Sequence, residues 1–551
     1  MNYKKITSRL TTCFRERWRQ LLVIAIAITL PPCLVYAGRH SFWKIINDSI
    51  FEMGVIFFIV AMMGKWGKWL THLLFVLSLF DFGLSFGCYL TNGQHVTLDL
   101  IYLIMGTNSN EISEFFSFYF PPVKIFIWLT AIILLILLYF SKMPRLRPSL
   151  KVSQVGAIVF LLTAILCFPP PSRGIYNWCD KIPPVKYLFI IKEYEPLGKL
   201  ANFRHEISLK EVSTQHPWNI VIIIGESFAK SHSSVYGYKH DTNPELSHLI
   251  NEDHLYAFTQ CTAPAAFTHL AFKNIFTLWD AYESKAFGKK DGIEKGLKKI
   301  FLPWIANKKA WYKYPTLFDV FSQKYTIRWV SNQEPRGMFD NVQAAIASLS
   351  DTVWFAGQHP EAGSRYDEVV VPVLESFLKT DSLPSITIVN LMGQHENFYQ
   401  RYPSTWNYFK ADDYKDRPMH QRELLAQYDN ATRYNDHVVA SIFELYKDKC
   451  ALVFYFPDHG MDLYDTDPNY CGHAIMRDQT SWDVSCIIPF FIYTTDNYRH
   501  FFPQQVEQIK NSLNNSFNTK DLIFALLQIT GWKITNYNGK NGKTFLCDAP
   551  Q

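Results

Sequence analysis

Three short apolar runs of the chain each end in side chains that can bind a metal or move a proton. The run ends read Gly225-Glu226-Ser227, Met392-Gly393-Gln394-His395 and Pro457-Asp458-His459-Gly460. Carboxylate oxygens and imidazole nitrogens are ligands that zinc accepts. Bound zinc lowers the pKa of a hydroxyl and stabilises charge on a phosphoryl oxygen. These residue types therefore predict a metal-assisted hydroxyl nucleophile.

The runs that precede these side chains predict the buried strands of an α/β domain. They are rich in β-branched residues, and helical stretches separate them. This pattern is typical of a mostly parallel sheet covered on both faces. Ligands of such sheets bind at the carboxyl ends of the strands, so we expect the polar run ends to share one edge. The predicted strands are Asn219–Ile224, Ile386–Val389, Leu452–Phe456 and Cys486–Tyr493.

Almost all the long uncharged runs lie before residue 173 and predict five membrane spans. Arg19 and Arg39 bracket 19 residues without a charge, close to the ~20 that cross a bilayer. Four further apolar segments favour an uncleaved anchor over a cleaved signal peptide. The predicted spans are Gln20–Gly38, Ile46–Gly64, Trp69–Tyr89, Ile125–Phe140 and Val152–Pro171.

The distribution of Lys and Arg predicts the orientation of these spans. Basic residues cluster at the N-terminus and in the 2–3 and 4–5 loops, whereas none occurs between Lys68 and Lys124. Positively charged loops remain on the cytoplasmic side, so the chain after Ser172 is predicted outside, which in a bacterium is the periplasm. We predict a transmembrane domain over 1–172 in the inner membrane, a linker over 173–215 and a periplasmic catalytic domain over 216–551.

Composition excludes several classes of protein. Hydrophobic residues make up 48% and charged residues 19% of the 551 residues, which excludes a disordered chain. The net charge of +5 is too small and dispersed to predict nucleic-acid binding. An even number of cysteines in the outer part is compatible with up to three disulfides. These are Cys179, Cys261, Cys450, Cys471, Cys486 and Cys547.

Two sets of charged residues have alternative interpretations. Glu52 and Asp81 lie inside predicted spans, where they either form hydrogen bonds between helices or contact a cationic lipid headgroup. The basic stretch 285–313 is either a solvated helix face or a contact for anionic lipid or acceptor phosphates.

The motifs, taken in order, resemble those of bacterial phosphoethanolamine transferases of the alkaline phosphatase/sulfatase superfamily. The outer 3–4 loop also contains Thr107-Asn108 with Glu111, similar to the Thr-Asn-x-x-Glu stretch of this family. The resemblance covers essentially the whole chain and implies an α/β catalytic domain of that superfamily after five spans. The matching segments are Ile222–Ser227, Gly237-Tyr238, Thr242-Asn243-Pro244, Trp329–Gln333, Leu391–His395, Tyr428-Asp429-Asn430, Asp458-His459-Gly460 and Gly472-His473.

The resemblance also implies roles for individual residues. It implies metal ligands for Zn²⁺, histidines near the phosphoryl group that act as headgroup contacts or general acid/base groups, and further substrate contacts. The implied metal ligands are Glu226, Asp458 and His459. The implied histidines near the phosphoryl group are His395 and His473. The implied further substrate contacts are Thr107, Glu111 and Asn332.

The nucleophile is where this chain departs from the family. Other members have a Cys-Gly-Thr-x-Thr run whose second Thr is the nucleophile, whereas this chain has Cys-Thr-Ala-Pro-Ala from Cys261. Aligning the cysteines places Ala265, which has no hydroxyl, at the nucleophile position. Aligning the downstream spacing selects Thr268, which we predict as nucleophile and fourth metal ligand. Thr262 and Ser227 remain alternatives.

The resemblance implies that a monomer transfers phosphoethanolamine from phosphatidylethanolamine to a periplasm-facing acceptor. Lipid A or a core sugar of lipopolysaccharide is the expected acceptor, and another periplasmic glycan is possible. Membrane lipids are expected partners and nucleic acid is not. The alternatives are transfer of glycerol phosphate to a glycan and a non-catalytic membrane scaffold. A sulfatase activity is not expected, because no Cys/Ser-x-Pro-x-Arg run occurs near Thr268.

Overall fold

A computed structural model describes two compact units. The helices of the first unit are described up to residue 167, and the second unit is described from Leu200 onward. The described residues are 3–35, 37, 41–92, 122–141, 149–167, 200, 204–213, 217–279, 311–333, 335, 342–359, 364–380, 383–473, 479–537, 542 and 544–546.

The first unit consists of apolar helices, which satisfy their backbone hydrogen bonds internally and can therefore cross a bilayer. Five helices are described, and they coincide with the five predicted spans. The first four are long and apolar enough to span a membrane, and the fifth is a shorter apolar helix of 17 residues. They are α1 (Tyr3–Val35), α2 (Ser41–Met62), α3 (Gly67–Asn92), α4 (Pro122–Phe140) and α5 (Leu150–Leu166).

Helix α1 packs against α2, α3 and α5. The Arg9 Nη1 group donates to the Met62 carbonyl oxygen (2.9 Å) and so caps the C-terminus of α2. Helices α2 and α5 approach closely, since a Cβ at Gly54 would lie 2.2 Å from the Cβ of Ala164. The acids Glu52 and Asp81 are both buried in this unit.

The second unit is an α/β domain built on one seven-stranded sheet. Its strand order is β3-β11-β8-β2-β7-β5-β6, and three two-stranded pairs lie outside it. The strands are β1 (Leu209–Glu211), β2 (Asn219–Gly225), β3 (Leu255–Ala257), β4 (Gln260–Thr262), β5 (Thr326–Ser331), β6 (Thr352–Phe355), β7 (Ser385–Asn390), β8 (Ala451–Pro457), β9 (Asp462–Leu463), β10 (Cys471–Gly472), β11 (Phe491–Thr494), β12 (Ser516–Asn518) and β13 (Trp532–Ile534).

The five strands from β8 to β6 in this order are parallel, which confirms the predicted mostly parallel sheet. Strand β2 lies at the centre, where Ile224 aligns with Phe456 of β8 and with Asn390 of β7. The carboxyl ends of β2, β7 and β8 therefore reach the same edge of the sheet. Strands β11 and β3 complete the sheet and are antiparallel to their neighbours.

The predicted strand Cys486–Tyr493 is wrong over its first half. Cys486 ends a helix, and the strand begins only at Phe491. Pro489 separates the two elements, and proline lacks the amide hydrogen that a central strand needs for pairing. The apolar run therefore contains a helix end, a turn and a short strand.

Helices cover both faces of the sheet. Alternate residues of β2 point to opposite faces, so Ile222 belongs to one buried apolar cluster and Ile223 to another. This explains why the central strand reads as a continuous apolar run. The helices are α6 (Pro244–Asn251), α7 (Thr268–Ile275), α8 (Leu317–Phe321), α9 (Val342–Ala347), α10 (Val371–Thr380), α11 (Met419–Tyr446), α12 (Gln479–Cys486), α13 (Asp496–Phe501), α14 (Pro503–Asn511) and α15 (Leu522–Ile529).

Part of the predicted linker belongs to the second unit, where it forms a strand. Strand β1, which lies inside the range 173–215, forms an antiparallel pair with β13. Residues 168–199 lie outside the described part of the chain. Among the outer cysteines in the described part, Cys261, Cys450, Cys471 and Cys486 are free thiols. These four therefore form none of the disulfides that the even count allowed, and Cys179 and Cys547 lie outside the described residues.

Candidate metal centre

Three predicted metal ligands come together at the carboxyl edge of the sheet. Glu226 follows β2, and Asp458 and His459 follow the neighbouring strand β8. The register aligns Gly225 with Pro457, so both chains leave the sheet at the same level. One ligand atom from each of the three residues lies within 4.8 Å of the others, and all three residues are buried.

Hydrogen bonding fixes the orientation of the His459 ring. Its Nδ1 lies 2.8 Å from the Gly460 carbonyl oxygen, which can only accept, so Nδ1 carries the hydrogen. The other nitrogen, Nε2, lies 3.2 Å from Glu226 Oε1 and 3.5 Å from Asp458 Oδ2. Metal-binding histidines are commonly held by such a bond from the second ring nitrogen to a carbonyl.

The Thr268 hydroxyl lies on this cluster. Thr268 is the first residue of α7, and its Oγ1 lies 3.3 Å from Glu226 Oε2 and 3.3 Å from His459 Nε2. The Thr262 hydroxyl instead faces β12, where it donates to the Phe517 carbonyl oxygen (3.4 Å) and accepts from Asn518 Nδ2 (3.0 Å). Thr268 thus occupies the position that a metal-activated nucleophile needs.

The second alternative nucleophile, Ser227, is tied to one ligand. Its Oγ donates to Glu226 Oε1 at 3.0 Å. Its backbone N–H points to Asp458 Oδ1 at 3.4 Å. Ser227 therefore forms hydrogen bonds to the carboxylates of both Glu226 and Asp458.

The charges of the cluster favour a bound cation. Burial opposes ionisation of Glu226, but the hydrogen bond and charge of His459 lower the pKa of Glu226 to about 2. Burial and the charge of Glu226 raise the pKa of Asp458 to about 7. Burial opposes protonation of His459, but Asp458 and Glu226 raise its pKa to about 9. Two buried carboxylates at this separation repel one another, and a cation relieves that repulsion.

The donor set fits a zinc ion. Asp458 Oδ1 accepts a backbone hydrogen bond from His459 (2.8 Å), whereas the buried Asp458 Oδ2 has only the longer 3.5 Å approach of His459 Nε2 among the described residues. An unsatisfied buried carboxylate oxygen is costly unless a cation compensates it. Two carboxylates, one imidazole nitrogen and one hydroxyl are ligands suited to tetrahedral zinc. Glu226, Asp458, His459 and Thr268 are the residues that would hold it.

His473 and His395 lie beside this cluster. The His473 ring centroid is 4.7 Å from that of His459, and its Nε2 is 3.6 Å from Glu396 Oε1. Burial and the charge of His459 lower the pKa of His473 to about 3, so the ring is neutral at pH 7. The charge of His395 contributes to the lowered pKa of Glu226.

Asn332 supports the turn after β7. Its Nδ2 donates to Asp367 Oδ1 at 2.9 Å. The same carboxylate accepts from the backbone N–H groups of Met392 and Gly393, each at 2.8 Å. The substrate contact predicted for Asn332 stays a prediction. Thr107, Glu111 and residues 285–310 of the basic stretch lie outside the described residues.

The side chain that the sequence analysis missed is Gln333. Its Nε2 donates to Glu226 Oε2 (3.2 Å) and to the Leu391 carbonyl oxygen (3.1 Å). Gln333 follows β5, which is parallel to β7 and ends at the same edge. The available signal was its place in the matching segment Trp329–Gln333, directly after the apolar residues that form the end of β5.

This fold and site define the class of the protein. A mostly parallel α/β sheet carries candidate acidic and histidine metal ligands at the ends of two neighbouring central strands, with a hydroxyl at a helix start facing them. The Sulfatase family model matches residues 218–531, which is more than half of the chain. The chain therefore belongs to the sulfatase family.

Similar proteins match most of the chain. Phosphoethanolamine transferase EptC of Escherichia coli O18:K1:H7 is 24% identical over 541 residues, covering 93% of this chain and 88% of EptC. The integral membrane protein lipooligosaccharide phosphoethanolamine transferase A (EptA) from Neisseria meningitidis has a known structure that covers 96% of both chains, with a TM-score of 0.61 and 14% identity.

A third similar structure is the C-terminal periplasmic domain of EcEptC from Escherichia coli in complex with Zn. It covers 60% of this chain and 87% of that domain, with a TM-score of 0.50 and 24% identity. Together these similarities confirm the predicted fold, apolar N-terminal helices followed by a sulfatase-like α/β domain. They also confirm the resemblance to the phosphoethanolamine transferases.

Proposed function

We propose that this protein is a phosphoethanolamine transferase that takes the group from phosphatidylethanolamine and passes it to lipid A or a core sugar of lipopolysaccharide. The observation that carries the proposal is the Thr268 hydroxyl, 3.3 Å from both Glu226 and His459 in a buried donor set that fits zinc. The names of EptC and EptA support the transferred group, and that of EptA supports a lipopolysaccharide-type acceptor. A complete nucleophile and ligand set argues against a non-catalytic scaffold.

Thr268 is the nucleophile in the first of two transfers, in which its hydroxyl loses its proton, and it is the leaving group in the second. Its Oγ forms a bond to the donor phosphorus while the bond from phosphorus to the diacylglycerol oxygen breaks, and the departing oxygen takes up a proton. The acceptor hydroxyl oxygen then bonds to the phosphorus and loses its proton, while the bond from phosphorus to Thr268 Oγ breaks and Thr268 takes up a proton. Zinc held by Glu226, Asp458, His459 and Thr268 would supply positive charge that lowers the pKa of the hydroxyl and stabilises the phosphoryl oxygens.

The neighbouring side chains handle protons and exclude water. Glu226 Oε2 accepts the hydrogen bond of the Thr268 hydroxyl and so orients that hydroxyl before the attack. His473 is neutral at pH 7 because burial and His459 lower its pKa. A neutral imidazole offers one donor and one acceptor, which suits contact with a phosphoryl oxygen or an acceptor hydroxyl. Burial of the ligands limits water, which favours transfer over hydrolysis.

The membrane location follows from the donor and acceptor, which are both membrane lipids. Helices α1–α4 are long and apolar enough to span a membrane, and the excess of Lys and Arg in alternate loops supports a periplasmic second unit. A monomer in the inner membrane is part of the proposal, and a candidate site whose described groups all come from one chain supports it.

Mass spectrometry of lipopolysaccharide tests the proposal, because it reads the acceptor and the transferred group together. A strain lacking this protein should lose one phosphoethanolamine from lipid A or core, and the wild-type gene should restore it while a Thr268→Ala gene should not. A lost glycerol phosphate would assign the alternative transfer. Identical lipopolysaccharide in the two strains would contradict the proposed acceptor.

A further inference from the structure

The residue after the ligand Glu226 has an unusual backbone conformation. Ser227 has a φ of 59°, which is left-handed and unfavourable for a residue other than glycine. This conformation lets its N–H face Asp458 Oδ1 (3.4 Å) and its Oγ donate to Glu226 Oε1 (3.0 Å). The surrounding structure must hold Ser227 in this state for both carboxylates to keep their positions.

One hydroxyl group of α11 holds this turn. Tyr428 donates its O–H to the Ser227 carbonyl oxygen at 2.7 Å and accepts from the backbone N–H of Ala229 at 2.7 Å. Tyr428 is fully buried, so water cannot replace either bond. The rings of Phe398 and His232 pack edge-on against it, with centroids at 5.0 and 5.4 Å, and fix its orientation.

The next residue of α11 anchors the following part of the same loop. Asp429 Oδ1 pairs with His232 Nδ1 at 2.7 Å, and Asp429 Oδ2 accepts from the Tyr238 hydroxyl at 2.8 Å and from the Tyr414 hydroxyl. Adjacent residues of one helix therefore fix the loop twice. The first anchor lies at the metal ligand, and the second lies further along the loop.

We infer that Tyr428 is a positioning residue for the metal site. Its hydroxyl keeps Ser227 left-handed, and Ser227 in turn aims the Glu226 carboxylate at Asp458 and His459. Groups that orient metal ligands in this way contribute strongly to metal affinity. The inference rests on the zinc site of the proposed function and deepens it, because it assigns part of the zinc affinity to a helix that contributes no ligand.

The test is the zinc affinity of the purified full-length protein in detergent, measured by competition with a chelating dye after metal removal. Tyr428→Phe removes only the hydroxyl and should raise the zinc dissociation constant about 10- to 100-fold. The control is Tyr498→Phe in α13, another fully buried tyrosine whose hydroxyl donates to Gln505 Oε1 at 2.5 Å. It should lower Tm without changing the zinc dissociation constant.

A second variant separates positioning from stability. Ser227→Gly relieves the left-handed strain and also removes the Oγ bond to Glu226, so the double variant with Tyr428→Phe should regain Tm and should still bind zinc more weakly than Ser227→Gly alone. If Tyr428→Phe does not accumulate, the double variant is compared with Ser227→Gly alone, and the same weakening is expected. Zinc affinity that equals the wild type in Tyr428→Phe, or that recovers together with Tm, would overturn the inference. Failure of the wild type to bind zinc would contradict the proposed function itself.

Discussion

Thr268 and Glu226 are 42 residues apart in the chain, yet their side-chain oxygens lie 3.3 Å apart. The chain returns from β2 through α6, β3 and β4 and then starts α7 with Thr268 at its first turn. A helix N-terminus favours negative charge, so this position suits both a threonine alkoxide and a phosphate group. Placement, more than residue type, distinguishes Thr268 from the other hydroxyls of this stretch.

The proposed nucleophile gives a prediction at the scale of single residues. Thr268→Ala should reduce transfer by roughly a thousandfold or more while the protein still folds and keeps zinc through three ligands. Thr262→Ala is the matched control and should remain active, because its hydroxyl faces β12. With donor lipid and no acceptor, peptide mass spectrometry should find phosphoethanolamine on Thr268. An adduct on Thr262 or Ser227 would show that our alignment around Pro264 is wrong.

The candidate metal ligands give a second prediction at the residue scale. Asp458→Ala should remove zinc and transfer activity together, since it deletes one of the two carboxylate ligands, whereas Thr268→Ala leaves both carboxylates and His459 in place. The control is Asp436→Asn, a buried acid that accepts from the backbone N–H groups of Glu245 and Leu246 and lies in α11. That variant should keep its zinc. Metal analysis of both proteins decides the matter, and full zinc occupancy in Asp458→Ala would remove Asp458 from the ligand set.

At the scale of elements, the turn after β7 supports the end of β2. Gly393 has a φ of 47°, and a Cβ added there would lie 2.7 Å from Glu226 N and 2.9 Å from Glu226 O. The Gln394 N–H also donates to the Glu226 carbonyl oxygen at 2.9 Å. The two neighbouring strand ends are therefore in contact through backbone alone, and only glycine allows this approach.

Paired glycine substitutions measure this contact. Gly237 also has a positive φ (93°), but a Cβ there would meet nothing within 4 Å. Gly237→Ala should cost about 1 kcal/mol of unfolding free energy from backbone strain. Gly393→Ala should cost about 1–3 kcal/mol more, because it adds a steric clash to the same strain. Denaturant unfolding of both variants checks this difference in unfolding free energy. Equal losses in the two variants would mean that the Gly393 turn moves away from Glu226 at no cost.

At the scale of the whole molecule, the chain joins an apolar helical unit to a polar catalytic unit. The membrane acids are the residues whose role depends on that division. Glu52 is 4% exposed and Asp81 is 8% exposed within the helical unit. Acids buried inside a helix bundle usually form hydrogen bonds with other helices. Of the two interpretations, burial favours packing over contact with a lipid headgroup.

Neutral substitutions separate these two roles. The double variant Glu52→Gln, Asp81→Asn should lower the Tm of the full-length protein while zinc content and use of phosphatidylethanolamine stay the same. Thermal unfolding in detergent, metal analysis and a donor-consumption assay provide the three readings. Reduced donor use at an unchanged Tm would instead support the headgroup contact.

The sequence by itself determined the elements and the ligand candidates. Long uncharged runs specify membrane helices, because a bilayer excludes charge along about 20 residues. The central strands could be predicted because both faces of a parallel sheet are buried, which leaves a continuous apolar run. Glu226, Asp458 and His459 could be proposed because they directly follow such runs. All of these signals are local, so a single sequence carries them.

Only the tertiary structure decided which side chains meet. The strand order β8-β2-β7-β5 and its register bring Glu226, Asp458 and Gln333 to one edge, and no local pattern encodes that order. The start of α7 selects Thr268 over Thr262, and the path of α11 puts Tyr428 on the Ser227 turn. The predicted strand Cys486–Tyr493 was based on its apolar run alone, and in the structure the strand begins only after Pro489. Contacts between distant segments depend on how the whole sheet packs with its helices. The sequence could therefore predict the candidate ligands, but not the side chains, such as Gln333 and Tyr428, that hold them in position.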